Sequence, residues 1–412
     1  VQEIVPVMLP PNLPEPPQGW RWAKLTDLAR LESGHTPSRS RPDWWGGDIS
    51  WVSLTEIRAL DGTWVKSTQI KTNEAGIANS SARILPRGTV CFSRTASVGF
   101  VTIMARPMAT SQDFANWVCG DELDPEFLMY ALICSRRELR ALATGATHKT
   151  IYMPMLESFH LCLPDRPTQV AIVQALKAQL AAAEAARQAA QAQVDHADLL
   201  ETALRQEAFL AVLDVWPRES AFVEVCDLSA GGTPSRGKAD YFRGDIPWVK
   251  TLDLNFGTVT HTEESISAEA MRSMRGNLLP AGTVMVAMYG GAGTIGKSGV
   301  LGISACTNQA ICALQPHPHL LTPDFLHEWV RFIRPEWMKY SGGNRKDPNI
   351  NKGVVEAMTL PLPPVSEQMA FCQTLSGKLA QARLIKEHAR SQLAELKQLP
   401  ARLLAQAFDL AP

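Results

Sequence analysis

No C-x-x-C pair occurs among the eight cysteines, which lie scattered at 91, 119, 134, 162, 226, 306, 312 and 372, mostly among apolar neighbours. Reduced core thiols are therefore the better reading, and a zinc site or disulfide framework the poorer one. There is no apolar run near the ~20 residues that cross a bilayer and no signal-peptide pattern, so a cytoplasmic protein without a membrane partner is expected. An excess of charge of one sign is missing too: 40 basic against 41 acidic residues give a formal net charge of -1. No global field draws a polyanion, and any nucleic-acid contact must come from local basic patches.

What is present is a 412-residue chain, 45% hydrophobic and 20% charged, which fits a soluble globular protein of two or three domains. The chain is written twice. "LESGHTPSRSRPDWWGGDISWVSL" from Leu31 returns without a gap as "LSAGGTPSRGKADYFRGDIPWVKT" from Leu228. "LPRGTV" at Leu85 returns as "LPAGTV" at Leu279, "TSQDF" at Thr110 as "TNQAI" at Thr307, and "LDPEFL" at Leu123 as "LTPDFL" at Leu321. "LCLPDRPTQVAIVQAL" at Leu161 pairs with "LPLPPVSEQMAFCQTL" at Leu360. Two copies with so long a period mean a duplicated domain, not a solenoid.

Each copy opens with short apolar runs punctuated by Gly and Pro, which read as strands and turns with a few helices. Each then becomes helical. From Pro167 to Trp216 no glycine or proline interrupts, and Val173, Leu176, Leu180, Ala183, Ala190, Val194, Ala197 and Leu204 step by threes and fours, with Arg187 and Glu201 the polar interruptions. That is a heptad seam on one long helix, about 45 residues or roughly 70 Å. Leu375, Leu379, Ala382, Ala389, Leu393 and Leu396 repeat the spacing in the second copy, behind a Ser366 N-cap, and supply the partner. Pro400 should kink or end this second helix. An ordinary bundle core is the plainer alternative to an exposed coiled coil. The expected class is α+β: two β-rich domains separated by two long helices forming a coiled coil. The expected boundaries are 1–165, with a Pro-rich segment 1–19, then 166–214, 215–364 and 365–412.

"YGGAGTIGKSGV" from Tyr289 poses the sharpest functional question. Gly291, Gly296, Lys297 and Ser298 satisfy a nucleotide-binding pattern, and Gly291, Gly293 and Gly296 a dinucleotide one. A phosphate loop needs a helix that starts at its lysine. The residues after Lys297 are instead β-branched and glycine-broken, and the first-copy counterpart "SRTASVGFV" places Phe100 where Lys297 stands. A glycine-rich hairpin is the expectation, with an NTP-binding enzyme as the alternative.

The duplicated "GHTPS" and "GGTPS" openings, their downstream "GDISWV" and "GDIPWV", "PPQGWRWAKL" at Pro16, "LPLPPVSEQ" at Leu360 and the paired helices together resemble the specificity subunit of type I DNA restriction-modification systems. Cys162 and Thr168 in "LCLPDRPTQ", and His35, depart from that pattern. The resemblance implies two pseudo-symmetric target-recognition domains on an antiparallel helix pair, each reading one half of a split, asymmetric double-stranded DNA target. It implies two modification (methyltransferase) subunits docked on the helices, and one or two restriction (translocase and nuclease) subunits. S-adenosylmethionine would belong to the methyltransferase, and ATP and Mg to the restriction partner, with none bound by this chain. No N-P-P-[FY] signature or paired acidic nuclease site is present, and the chain is expected to be non-catalytic alone.

Half-sites that differ must be read where the copies differ. Arg94, His148 and Lys149 in the first copy, and Tyr289, Lys297, Asn344, Arg345, Lys346 and Asn349 in the second, are the candidates for base edges. Arg39, Arg41, Arg236 and Lys238 suit phosphates. Trp51 and Trp248 are expected in the cores. A coiled-coil scaffold with two protein-binding heads is the remaining alternative.

Overall fold

In each copy short runs of buried residues build a five-stranded sheet of one order. In the first the neighbours are Ala29–Ser33, Phe114–Cys119, Val90–Ser93, Val101–Met104 and Trp64–Val65. In the second they are Cys226–Ala230, Ile311–Pro316, Val284–Ala287, Ser298–Leu301 and Thr258–Val259. The last strand pairs in parallel both times, Trp64 opposite Ile103 and Thr258 opposite Val300. This computed structural model describes residues 5–11, 13–145, 149–274, 276–290, 293–340 and 350–409.

The central strands are buried on both faces. Val90 and Phe92 enter one cluster with Phe127 and Leu128, whereas Cys91 enters another with Val52 and Ile57, following the two-residue period of a strand. A helix covers the first face in each copy: Pro125–Cys134, capped by the Asp124 side chain, and Pro323–Phe332, capped by Thr322. Proline at the first turn and an oxygen-bearing cap fix where these helices start. A three-stranded sheet stands beside each: Lys71–Thr72, Trp45–Val52, Ala109–Thr110, and Glu264–Ile266, Ile246–Val249, Cys306–Thr307. Trp51 and Trp248 are buried in these. Cys91, Cys162, Cys226, Cys306 and Cys312 are buried, as expected of core thiols.

Residues shared by the copies build this frame. A Cβ on Gly34 would stand 2.1 Å from the Ser111 carbonyl oxygen, and one on Gly231 2.0 Å from that of Thr307. Only glycine lets the "G-x-TPS" turn approach so closely. Beside it Thr36 donates to Gln112, and Thr233 to Gln309.

The first long helix runs from Arg166 to Val215 and the second from Val365 to Ala407. Gln169 and Gln368, fully buried in their first turns, staple them to the domains. Gln169 Nε2 donates to the Glu122 and Pro164 carbonyls at 3.0 Å, and Gln368 Nε2 to those of Leu320 and Pro363 at 2.8 Å. Their Oε1 atoms accept from the Asp124 and Thr322 amides. Along the seam Val173, Leu176, Val194, Leu375, Leu379 and Leu393 are buried, with Leu180, Leu204 and Leu396 partly so. Asp198 meets Lys386 at 2.5 Å and Arg390 at 3.6 Å, while Glu201 meets Arg383 at 3.5 Å, so the helices run antiparallel there. The chain divides into two units, Val1–Ala190 with Gln392–Pro412, and Gln191–Ser391. Among the described residues no helix is long and apolar enough to cross a membrane.

Two helix-end expectations are corrected. Ser366 lies inside the second helix, which starts at Val365 with the Pro364 carbonyl taking the first bonds, so it is not the cap. Pro400 does not end that helix. Its cost of about 3 kcal/mol is outweighed by packing of Leu403, Leu404, Ala407 and Phe408 against the core of the first unit.

Candidate nucleic-acid interface

The nucleotide-like motif forms a β-hairpin. Val284–Ala287 returns as Ser298–Leu301 with Val284 opposite Val300. Lys297 closes the turn: its amide donates to the Thr294 carbonyl at 2.9 Å, and its carbonyl accepts from Ala287 at 2.8 Å. The next residue begins a strand, so no helix starts at this lysine and the phosphate-loop alternative fails. Gly291 lies outside the described residues. In the first unit Val90–Ser93 and Val101–Met104 make the same hairpin, closed by Ser93 donating to Phe100 at 2.8 Å. Gly99 and Gly296 both adopt positive φ, +94° and +71°, and their glycines serve the turn.

The fold gathers the divergent segments picked from sequence. In the first unit the Ala96 amide donates to the Lys149 carbonyl at 2.9 Å, and the Ile151 amide to the Arg94 carbonyl at 2.9 Å. The hairpin tip and residues 149–151, about fifty residues apart in sequence, thus form one edge. Lys149 is exposed on it. Arg94 is partly buried beside it: Nη2 donates to the Gln112 carbonyl at 2.8 Å, and partial burial holds its pKa below the usual arginine range. It clamps the loops together. In the second unit the Ile350 amide donates to the Met288 carbonyl at 3.0 Å, bringing the chain after 349 against that hairpin tip. Tyr289 packs partly buried against the core, and Lys297 is half-buried. His148, Asn344, Arg345, Lys346 and Asn349 lie outside the described residues.

The basic residues after the shared "TPS" turn sit on aromatic faces. Arg39 lies over Trp45 at 4.1 Å and Trp51 at 5.0 Å; Arg236 lies over Phe242 at 4.4 Å and Trp248 at 5.4 Å. Arg236 also pairs with Glu264 at 2.7 Å, Arg41 with Asp43 at 2.7 Å, and Lys238 donates to the Tyr241 hydroxyl at 2.9 Å. Part of their charge is thus already answered within the unit.

Sequence reading missed a further group. Arg58, Arg136 and Arg140 surround Phe100 at 5.8, 5.3 and 5.2 Å, while one carboxylate, Asp61, pairs with Arg136 at 2.7 Å. Arg140 Nε donates to the Val98 carbonyl at 2.8 Å, which ties the group to the hairpin tip. Partial burial lowers the Arg140 pKa, and the neighbouring charge of Arg136 adds to the shift. In the second unit Phe256 carries Arg331 at 5.8 Å and Arg334 at 4.8 Å. The only sequence signal for these groups was the aromatic Phe100 in the place of Lys297.

Comparison with known proteins gives one consistent picture. The Type I restriction modification DNA specificity domain matches residues 17–193 and again 219–394. The MjaIX specificity subunit of a type I restriction enzyme from Methanocaldococcus jannaschii is 26% identical over 162 residues, 39% of this chain and 38% of that protein. The HindI specificity subunit from Haemophilus influenzae is 28% identical over 133 residues, 32% of this chain and 28% of that protein. The matched stretches therefore span well under half the length of these relatives. A solved structure concerned with complex assembly and conformational transition of the type I R-M system aligns with a TM-score of 0.70 at 20% identity, covering 96% of this chain and 98% of its own. The HsdS subunit from Thermoanaerobacter tengcongensis aligns with a TM-score of 0.67, also at 20% identity, with 96% and 98% covered.

Proposed function

This chain belongs to the family of type I restriction modification DNA specificity domains, and from that premise we propose that its two units read the two halves of one split, asymmetric DNA target. The observation that carries the reading is the repeated edge: in both units a hairpin tip is met by a distant isoleucine amide, Ile151 on Arg94 and Ile350 on Met288, and the edge bears Lys149 in one and Tyr289 and Lys297 in the other. A common scaffold with different side chains is what two different half-sites require.

In this proposal Lys149, Tyr289 and Lys297 face base edges, joined by His148, Asn344, Arg345, Lys346 and Asn349 from the same loops. Arg39, Arg41, Arg236 and Lys238 contact phosphates, and so do Arg58, Arg136 and Arg140, where three guanidiniums share one carboxylate and a phosphate would relieve their repulsion. The helix pair sets the gap and docks two methyltransferase subunits, which bring S-adenosylmethionine. One or two restriction subunits bring ATP and Mg. The chain does no chemistry of its own, and short recognition events combine through fixed geometry.

Coexpression with the neighbouring methyltransferase, followed by genome-wide mapping of methylated adenines, tests this. A split motif with a fixed gap is expected. Methylation without such a motif, from a complex shown to be active, would overturn the reading.

A further inference from the structure

The two long helices end alike. Leu204, Ala208 and Phe209 recur as Leu403, Ala407 and Phe408. Phe209 is fully buried with its ring 5.6 Å from Phe325, and Phe408 is 2% exposed with its ring 5.2 Å from Phe127. Phe127 and Phe325 are repeat partners within "LDPEFL" and "LTPDFL". By shape alone, either helix end suits either seat.

The chemistry beside the anchor differs. In the second unit Arg205, 7% exposed, places Nε 2.5 Å from Glu328, whose other oxygen meets Arg331 at 3.0 Å. Glu201 lies 3.8 Å from Arg205. In the first unit Leu404, Tyr130, Ile133 and Pro400 stand where Arg205, Glu328, Arg331 and Glu201 do. Leu404, Tyr130 and Ile133 pack against its core. Glu126, the one carboxylate of the Pro125–Cys134 helix, is already held by Lys177 at 2.7 Å and by the Trp64 indole at 2.8 Å.

We propose that this exchange of an ionic cluster for an apolar one is a pairing code that makes the two helix ends non-interchangeable. Arg205 in the first seat would meet Tyr130 where Glu328 stands, and would keep only Glu201 of its own helix, at 3.8 Å. Leu404 in the second seat would leave the Glu328 oxygen that Arg205 holds without its partner, with Arg331 keeping only the other one. The first mismatch buries a guanidinium without its close partner and the second leaves a carboxylate oxygen unpaired, costs that the matched pairing avoids. The code thus keeps the first helix end off the first unit of a second copy of this chain, and like-with-like association loses to closure of one chain on itself. Under the proposed function, that excludes a symmetric reader built from two first units. The code itself does not depend on DNA binding.

The test is made on the full-length chain. Leu404→Arg and Tyr130→Glu each introduce a mismatch and should lower Tm by about 5 °C, while the double variant recovers at least half the combined loss. Additive losses would overturn the code, because they mean the seats hold their ends without regard to charge. If Leu404→Arg does not fold, recovery of soluble folded chain by Tyr130→Glu is expected, and failure to recover it overturns the idea equally. Selectivity is read directly with labelled peptides of residues 392–412 added to chain carrying Phe408→Ala, or to chain carrying that change and Tyr130→Glu. The wild-type peptide should bind the former about tenfold tighter than its Leu404→Arg version, a difference of about 1.4 kcal/mol, and the preference should reverse on the latter. Equal binding of the two peptides would overturn it.

Discussion

The two units share a sheet order, a glycine turn, a glutamine staple and a phenylalanine seat, yet differ in the side chains at the proposed reading edges and beside the helix-end seats. Gly34 and Gly231, Gln169 and Gln368, and Phe127 and Phe325 do the same work twice. Phe100 against Lys297, Met129 against His327 and Tyr130 against Glu328 do not. In a duplicated chain the repeated residues mark what the fold needs, and the divergent ones mark what each copy was free to change. Breaking a shared residue should therefore cost stability in either unit, whereas changing a divergent one should alter a single unit's behaviour.

The largest effect should come from Gly231→Ala or Gly34→Ala. A Cβ placed about 2 Å from a carbonyl oxygen cannot be accommodated by a rotamer change, and each substitution should cost at least about 3 kcal/mol through backbone displacement. Denaturant unfolding measures it. Losses within 0.5 kcal/mol of zero would show that the turn can move and that the glycine is not a shared structural requirement.

A comparable loss should appear as pH falls below 6.5, from a histidine that the second unit has and the first lacks. His327 is buried, with Nε2 3.1 Å from the Ser298 hydroxyl; burial, with smaller help from the Arg331 and Arg205 charges against that of Glu328, lowers its pKa to about 4. The unfolded chain takes up a proton near pH 6.5 while the folded chain stays neutral. Stability is therefore complete above pH 6.5 and falls as pH drops toward 4, by up to about 3 kcal/mol from this group. His327→Met, which copies the residue of the first unit, should flatten that part of the profile. An unchanged slope between pH 6.5 and 4 would assign the acid sensitivity to other groups.

Next in size is the staple. Gln169→Leu or Gln368→Leu keeps the volume but leaves one amide and two carbonyls buried without partners. Each should cost about 2 kcal/mol, and equally in the two units. Unequal losses would mean that one long helix is held mainly by its seam and not by its entry.

Much of this frame was legible in the sequence, because a gapless repeat, a heptad seam and a glycine-rich hairpin are local patterns. The helix ends were misread for the same reason. Pro400 is a local stop signal, and it yields to long-range packing of Leu403, Leu404, Ala407 and Phe408 that no local pattern reveals. Arg94 was legible as a candidate, but its bond to the carbonyl of Gln112, eighteen residues on, was not. The arginines around Phe100 come from the helices Ile57–Leu60 and Arg136–Ala141, joined only by folding. Sequence thus disclosed the repeated work of the two units more readily than the divergent work.

Smaller effects test the divergent edges directly. Lys149→Ala should change preference in one half of the target and Lys297→Ala in the other, each by about 1 kcal/mol of discrimination, with stability unchanged. Methylated-motif mapping in the assembled complex reads both. If either substitution altered both halves together, the one-unit-one-half assignment would fail.

The smallest effect should be Arg58→Ala, and its form matters more than its size. Arg58 stands exposed over Phe100 at 5.8 Å, with Arg136 and Arg140 on the same ring and Asp61 answering Arg136. A side chain that meets only phosphate carries no sequence information. Its loss should weaken binding to target and non-target DNA alike, lower the slope of log K against log salt by about 1, and leave the methylated motif intact. A changed motif would move Arg58 into the base-reading set. An unchanged salt slope in a complex that still binds its target would show that the cluster stays off the DNA backbone, and the asymmetry of charge between the units would then serve the fold alone.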